Sequence, residues 1–317
     1  MAAFFLVLAC ALWGLSFPVL KALHLEQGTR LPDADSVFLT AWIQCARFGM
    51  GALMLLPFLP RGKPTALELR QGLWLAVFGG TGMALQADGL AYTEASTSAF
   101  LTQAYCIVLP LVACVRTRRL PGVRVTVAVV LIVAGCAVLS GFGFGNARIG
   151  RGELETLAAA VFFSVQILTL ENPRYRGNRS RPVTWVMCAG IAVMFLPVSI
   201  LSAPSPDALI QAGASWPAFG FVLVLAAFCS VGAFLLMNHW QPRIGSVEAG
   251  MIYTSEPVFA STYALFLPAW ISSIAGARYQ NEIFTPALVT GGILILLANI
   301  LMQFARSPHP PAIAPVP

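Results

Sequence analysis

The sequence predicts an all-α integral membrane protein in which ten transmembrane helices form two inverted five-helix repeats. Ten stretches of about twenty apolar residues run through the chain, and a bilayer core about 30 Å thick needs about 20 helical residues per crossing. Hydrophobic residues make up 58% of the 317 residues and charged residues only 10%, whereas soluble domains carry about 25% charged residues. The basic residues between the stretches fall mostly on alternate connections. Together these observations exclude an ordinary soluble domain.

The ten predicted spans are separated by short connections, with about a dozen residues each at 25–35, 172–182, 203–215 and 272–283. In chain order the predicted spans are 2–24, 36–58, 72–92, 97–115, 123–143, 153–171, 183–202, 216–238, 247–271 and 284–304. None of these connections is long enough to form a soluble domain of its own.

The basic residues predict the orientation of the chain, because Lys and Arg accumulate in cytoplasmic loops. A cytoplasmic N-terminus places thirteen Lys and Arg residues on the cytoplasmic side and five on the other. An even number of spans then places the C-terminus in the cytoplasm too. We expect a multi-pass protein of a bacterial inner membrane. The net charge of +6 is spread over short loops, so it does not indicate a nucleic-acid partner.

Ten spans divide into two halves, 1–145 and 150–305, followed by a tail at 306–317 that we expect to be cytoplasmic and disordered. Because five is odd, the second half enters the membrane in the opposite direction, as in many secondary transporters. Asp88 precedes Ser96 by eight residues, and Asn238 precedes Ser246 by eight. These weak similarities favour an inverted repeat, although apolar segments always align to some degree.

Ionisable residues inside the spans are candidates for function, because a charge in hydrocarbon costs several kcal/mol unless it is paired or hydrated. Arg47 and Glu256 lie near the middle of their spans, and Asp88 lies toward the outer end of its span. We expect these three residues to contribute to coupling, with Glu256 as the leading candidate for a proton-carrying group. The alternatives are a packing anchor for Arg47, an interhelical hydrogen bond for Glu256 and headgroup contact for Asp88.

Polar and aromatic side chains at similar depth predict a central substrate site. The predicted substrate-binding residues are Trp13, Gln86, Gln103, Tyr105, Gln166, Asn238, Tyr253 and Glu256. Amides and phenols that face a cavity suit a small polar or amphipathic metabolite. Each residue alone is equally compatible with an interhelical hydrogen bond.

Signatures of enzymes, metal sites and cofactor sites are missing from the sequence. It contains no HExxH or GxSxG motif, and its seven cysteines form no CxxC pair. We therefore expect no metal and no cofactor. An integral-membrane enzyme that acts on a lipid-linked substrate stays the alternative. That enzyme would need paired acids, a His or a Ser nucleophile close to one membrane face.

Several short motifs, in a fixed order along the ten spans, resemble the EamA-type branch of the drug/metabolite transporter superfamily. The matching segments are Trp13-Gly14-Leu15-Ser16-Phe17, Arg47-Phe48, Gly89-Leu90-Ala91-Tyr92-Thr93, Val108-Leu109-Pro110-Leu111, Phe162-Phe163-Ser164-Val165-Gln166 and Ser255-Glu256-Pro257-Val258-Phe259-Ala260. The chain departs from the family where a Glu usually follows span 4, since it has Arg116-Thr117-Arg118-Arg119 there.

The resemblance implies two inverted repeats, a cavity between the halves, and export or exchange of metabolites by alternating access. We therefore expect a secondary active transporter, coupled to protons or to exchange, that works in the lipid bilayer as a monomer or homodimer. The family handles chemically diverse small molecules, so the resemblance does not imply one substrate.

Overall fold

The computed structural model describes residues 1–118, 122–139, 150–275 and 278–303, and these residues are almost entirely helical. The predicted tail and most of the junction between the halves lie outside the described residues. The helices of the first half are α1 (Ala2–Arg30), α2 (Ser36–Leu55), α3 (Ala66–Gly89), α4 (Ala95–Thr102), α5 (Tyr105–Thr117) and α6 (Val123–Leu139). The helices of the second half are α7 (Arg151–Glu171), α8 (Ser180–Ser202), α9 (Pro206–Gln211), α10 (Trp216–Val224), α11 (Ala233–Trp240), α12 (Ser246–Tyr253), α13 (Glu256–Ala275) and α14 (Pro286–Gln303).

Each predicted span coincides with one helix or with consecutive helices. By length and composition, seven helical segments among the described residues can cross a membrane: Ala2–Arg30, Ser36–Phe58, Ala95–Val112, Arg151–Glu171, Ser180–Ser202, Trp216–Arg243 and Glu256–Ala275. The apolar parts of α6 and α14, Val123–Gly135 and Pro286–Ala298, are shorter. The chain is thus an all-helical protein with several membrane-crossing helices, as the sequence predicted.

Helices α1 and α3 extend beyond their predicted spans, and hydrogen bonds hold both extensions. Helix α1 continues to Arg30, and the buried side chain of Gln27 in its last turn donates to the Ala212 carbonyl oxygen at 2.9 Å. Helix α3 begins at Ala66 with a capping box, in which the Thr65 hydroxyl accepts from the Glu68 backbone N–H while the Glu68 carboxylate accepts from the Thr65 N–H. Such caps satisfy backbone donors that would otherwise lack partners.

Two predicted spans each divide into two helices, and a third contains a change of helix type. Span 4 breaks at residues 103–104 and span 9 breaks at residues 254–255. Pro257 contributes to the second break because it has no backbone N–H to donate to the preceding turn. Span 8 widens into a π-helical segment, Leu225–Gly232, between α10 and α11. Such segments are frequent at functional sites.

The helices of the two halves interleave. Helix α2 packs against α8, α3 against α7, α6 against α14, and α1 against α13. Glycines allow the close approach of α3 and α7: a Cβ atom at Gly79 would lie 2.7 Å from Gln166 Nε2, and one at Gly82 would lie 2.8 Å from the Phe163 ring. The α3–α7 contact thereby fixes Gln166 in the middle of the molecule.

Candidate functional site

A small central cavity lies where the two broken spans meet. Thr102 ends α4 and Tyr105 begins α5, while Tyr253 ends α12 and Glu256 begins α13, and all four line the cavity. The cavity offers about 60 Å³ to the centres of water-sized molecules, which is room for about four to six waters at ~10–15 Å³ each. A larger ligand requires the surrounding helices to move apart.

The cavity collects most of the polar residues that the sequence singled out. The predicted residues that line it are Trp13, Arg47, Gln86, Tyr105, Gln166, Tyr253 and Glu256. They come from six predicted spans in both halves of the chain. Their convergence is a property of the fold, since they are far apart in the sequence.

Three predicted residues lie outside the cavity lining. Gln103 is fully buried in the break of span 4 and accepts a hydrogen bond from the Tyr105 hydroxyl at 2.9 Å. Asn238 donates to the Thr184 hydroxyl at 2.9 Å and lines a different cavity. Asp88 lies at one end of the helical bundle, in contact with Arg151.

Arg47 is held by the π-helical segment. Its Nε donates to the Ser230 hydroxyl at 2.6 Å and its Nη2 donates to the Cys229 carbonyl oxygen at 3.3 Å. The guanidinium carbon also lies 5.0 Å from the centre of the Phe48 ring. Only 3% of Arg47 is exposed, and none of the described carboxylates lies within 4 Å of it. An arginine stays charged in proteins, so this cavity wall is cationic.

An aromatic row connects the Arg47 side of the cavity to the Glu256 side. The ring centres of Phe48 and Phe234 are 6.3 Å apart, and those of Phe234 and Trp13 are 5.4 Å apart. Trp13 in turn contacts Tyr253 edge-on at 5.5 Å. The indole N–H of Trp13 is buried and has no acceptor among the described residues, so it is available to an acceptor on a bound molecule.

Glu256 supplies the carboxyl group among the described lining residues. It begins α13 and is buried, with no described basic side chain within 4 Å. Helix α13 is fixed against α1 at Gly14, where a Cβ atom would lie 2.8 Å from the Ala260 backbone nitrogen. Arg47 and Glu256 thus line one cavity without forming an ion pair with each other.

Sequence reasoning missed the other residues that line the cavity, which are mostly apolar. They are Ser16, Met83, Thr102, Phe163, Ile167, Phe234 and Met237. Helical spacing was the signal that could have found several of them. Ser16 lies three residues after Trp13, and Phe163 lies three before Gln166, so each shares a helix face with a predicted residue.

A much wider cavity, of about 1260 Å³ by the same measure, lies at the end of the bundle that carries Arg179, which we call the Arg179 end. Its lining includes Arg176, Arg179, Arg181 and Arg243. Gln241 separates this cavity from the central one. It is buried, its Oε1 accepts from the Tyr253 hydroxyl at 2.7 Å, and its Nε2 donates to the Ile167 carbonyl oxygen at 3.0 Å.

The opposite end, which we call the Arg151 end, is closed by polar contacts. Arg151 of α7 forms ion pairs with Asp88 of α3 and, at 2.7 Å, with Glu155. Its Nη1 donates to the Tyr92 hydroxyl at 2.9 Å. Further contacts at this end join Lys21 to Glu94, Thr93 to Glu153, and Glu282 to Ser96.

Comparisons with known proteins agree with this architecture. Residues 1–141 match the EamA-like transporter family. A protein of Archaeoglobus fulgidus described as an "Uncharacterized transporter" is 26% identical over 299 residues, which cover 94% of this chain and 84% of that protein. A solved structure described as "Crystal structure of protein" superposes with a TM-score of 0.53 at 18% identity, and the match covers 93% of this chain and 97% of that one. The last likeness concerns the fold alone.

Proposed function

We propose that the chain is a secondary active transporter of a small polar or amphipathic metabolite, starting from the match of its residues 1–141 to the EamA-like transporter family. The observation that carries the proposal is the central cavity, in which seven of the polar and aromatic residues predicted from the sequence meet. The family match and the transporter-named relative favour this function over the alternative of a membrane enzyme.

The packing of the helices supports two inverted repeats. In such a repeat, each span of the first half corresponds to the span five places later. Helix α2 then corresponds to α8 and α6 corresponds to α14, and each of these two pairs of equivalent helices is in contact. The contact of α3 with α7 maps onto that of α1 with the π-helical segment and α11, and both contacts are present. The breaks in span 4 and span 9 also occupy equivalent places in the two halves. Broken helices in corresponding positions are typical of substrate sites in transporters.

The two ends of the bundle support alternating access. The Arg151 end is closed by ion pairs, whereas the Arg179 end contains a cavity of about 1260 Å³. We propose that the central site communicates with one end at a time, and that in this structure the hydrogen bonds of Gln241 still separate it from the cavity at the Arg179 end. The positive-inside rule assigns the Arg179 end to the cytoplasm, because most of the loop arginines lie there.

The chemistry of the central cavity favours a ligand with polar groups and an apolar part. Arg47 offers a positive partner, Glu256 offers a carboxyl group that can bind and release a proton, and the indole N–H of Trp13 offers a further donor. The aromatic row between them suits an apolar surface. We propose that proton or solute exchange drives transport, with Glu256 as the proton-carrying group of the central site.

A two-stage experiment tests this function. First, metabolites retained by cells with and without the protein are compared to identify candidate substrates. Second, flux of the candidates is measured in proteoliposomes for the wild-type protein and for Gln166→Leu, which removes an amide from the cavity. Thr262→Val is the matched control because Thr262 is exposed on the outside of the bundle. We expect flux in the wild type and the control and a strong loss in Gln166→Leu. No flux of any candidate in the wild type would refute the proposal.

A further inference from the structure

The Arg151 end contains a cluster of charged residues that the central cavity does not use. A single guanidinium, that of Arg151, contacts two carboxylates, Asp88 on α3 and Glu155 on its own helix α7. Tyr92 and Ser36 hold the same guanidinium through hydrogen bonds of 2.9 and 3.3 Å. We call Asp88, Arg151 and Glu155 the Arg151 cluster. With every group ionised, it carries one unbalanced negative charge.

One atom of this cluster lacks a partner. Glu155 Oε2 is buried and accepts no hydrogen bond from the described residues. The carboxyl groups of Glu155 and Asp88 share one guanidinium, since Glu155 contacts its Nε and Asp88 contacts its Nη2. Two carboxylates in such contact repel each other unless one of them holds a proton. A proton on Glu155 would balance the charge of the cluster and give the unpartnered oxygen a hydrogen bond to Asp88.

The neighbouring charged groups do not neutralise the cluster. On α1, the ammonium of Lys21 is occupied by Glu94 and by the Thr93 carbonyl oxygen, at 2.8 and 2.9 Å. Glu153 accepts from the Thr93 hydroxyl at 2.9 Å, and Glu282 accepts from the backbone and hydroxyl of Ser96. Both of these acids add negative charge to the same end.

A buried histidine also faces the cluster. His24 on α1 lies close enough to Asp88 for their charges to interact. Both of its ring nitrogens are buried without a hydrogen-bond partner among the described residues. Helix α2 contributes a neutral group, the Thr40 hydroxyl, which donates to Asp88 Oδ1 at 3.3 Å, and Arg151 is the cation in direct contact with Asp88.

We propose that the Arg151 cluster is a proton-binding site that controls closure of the Arg151 end. Closure brings Asp88 and Glu155 together beneath one guanidinium and takes up one proton, which binds to Glu155. Opening separates α7 from α3, leaves Glu155 paired with Arg151 alone, and releases that proton to water. By linkage, the closed conformation is favoured at low pH and the open conformation at high pH.

This inference rests on the proposed function, because closure of one end matters only in a transporter. Its test is independent of that function, because it measures opening of the Arg151 end and not transport. Ser98 is fully buried below the cluster, with its hydroxyl 3.2 Å from that of Thr156 on α7. In a protein whose native cysteines are replaced, Ser98→Cys becomes a reporter that a neutral maleimide reaches only when this end opens. Its labelling rate is divided by that of Lys63→Cys, an exposed loop position, which corrects for ionisation of the thiol.

We expect the corrected labelling rate of the reporter to rise about ten-fold between about pH 4 and pH 7, a range that starts near the ordinary pKa of a glutamate. This rise is the effect of a difference of one pKa unit between the closed and open conformations. Glu155→Gln mimics the protonated acid and should keep labelling slow at both pH values. Asp88→Asn removes the ion pair that joins α3 to Arg151 of α7 and should make labelling fast at both. Glu153→Gln, which changes a neighbouring acid outside the cluster, should keep the wild-type pH response.

The possible outcomes separate the two proposals. A wild-type rate that does not change with pH, or a Glu155→Gln protein that keeps the wild-type response, would overturn the proton site whether or not the protein transports a solute. A pH-dependent rate that Glu155→Gln abolishes supports the proton site even if no flux is found, and in that case the transport proposal alone fails.

Discussion

The Tyr253 hydroxyl donates to Gln241 Oε1 at 2.7 Å, and this bond lies between the central cavity and the cavity at the Arg179 end. Gln241 in turn donates to the Ile167 carbonyl oxygen of α7. The two bonds connect α12 to α7 through the segment that follows α11, so Gln241 links two helices that line the central cavity.

Tyr253→Phe should weaken this link while keeping the aromatic wall. The loss of one buried hydrogen bond costs about 0.5–1.5 kcal/mol, so we expect exchange between the central site and the Arg179 end to accelerate by several-fold. Release of a bound substrate, followed by stopped-flow fluorescence, measures the effect. Tyr105→Phe is the matched control, because the Tyr105 hydroxyl bonds to Gln103 two residues away. Equal acceleration in both variants would contradict a special role for Gln241.

The hydrogen bond from Arg47 to Ser230 predicts a separable effect on the central site. Ser230→Ala leaves the guanidinium in place but removes its contact of 2.6 Å. Hydrogen bonds to charged groups contribute about 1.5–3 kcal/mol, so we expect weaker substrate binding together with a lower thermal unfolding temperature. Arg47→Lys should lose more binding, because an ammonium cannot reproduce the planar fork of donors. Substrate titrations and thermal unfolding in detergent measure both quantities. Full affinity in Arg47→Lys would exclude Arg47 from the site.

Removal of the carboxyl group of Glu256 should uncouple transport from protons. Glu256→Gln keeps the shape of the side chain but cannot bind or release a proton, so a pH gradient should no longer drive accumulation in proteoliposomes, while exchange of internal for external substrate persists. In the same variant, labelling of the Ser98→Cys reporter should keep its pH response, since the Arg151 cluster is intact. Gradient-driven accumulation at the wild-type level in Glu256→Gln would rule out Glu256 as the coupling group.

The sequence was sufficient to predict the helices and the middle of the site, because both depend on local patterns. The apolar runs are almost entirely helical where the structure describes them, and the cost of polar groups in hydrocarbon pointed to Arg47 and Glu256, which do line the central cavity. The breaks in spans 4 and 9 were not predictable from hydropathy. They depend on backbone geometry within otherwise continuous apolar runs.

The sequence was less informative about the ends of the helices, where tertiary contacts decide the role of a residue. Gln241 lies beyond the predicted end of span 8. Its role is visible only in the structure, where it forms hydrogen bonds with Tyr253 and with the Ile167 carbonyl oxygen. Arg151 and Glu155 looked like ordinary residues of a helix start, and their importance comes from Asp88 on a distant helix. Asp88 itself was expected at the membrane surface or in coupling, and the structure places it in a cluster with Arg151.

The ion pair between Glu68 and Arg179 predicts how stability depends on pH at the Arg179 end. Arg179 donates to both carboxylate oxygens, at 2.7 and 2.9 Å, and these bonds lower the pKa of Glu68 to about 2. Since the unfolded chain has the ordinary pKa of about 4.3, the stabilisation is complete above about pH 5 and is lost as the pH falls toward 2. Glu68→Gln should lower the unfolding temperature at pH 7 by about 2–4 °C and change little near pH 3. Glu94→Gln, which removes an exposed partner of Lys21, should have almost no effect at either pH. A loss in Glu68→Gln that is as large at pH 3 as at pH 7 would show that the capping geometry, and not the charge, stabilises this end.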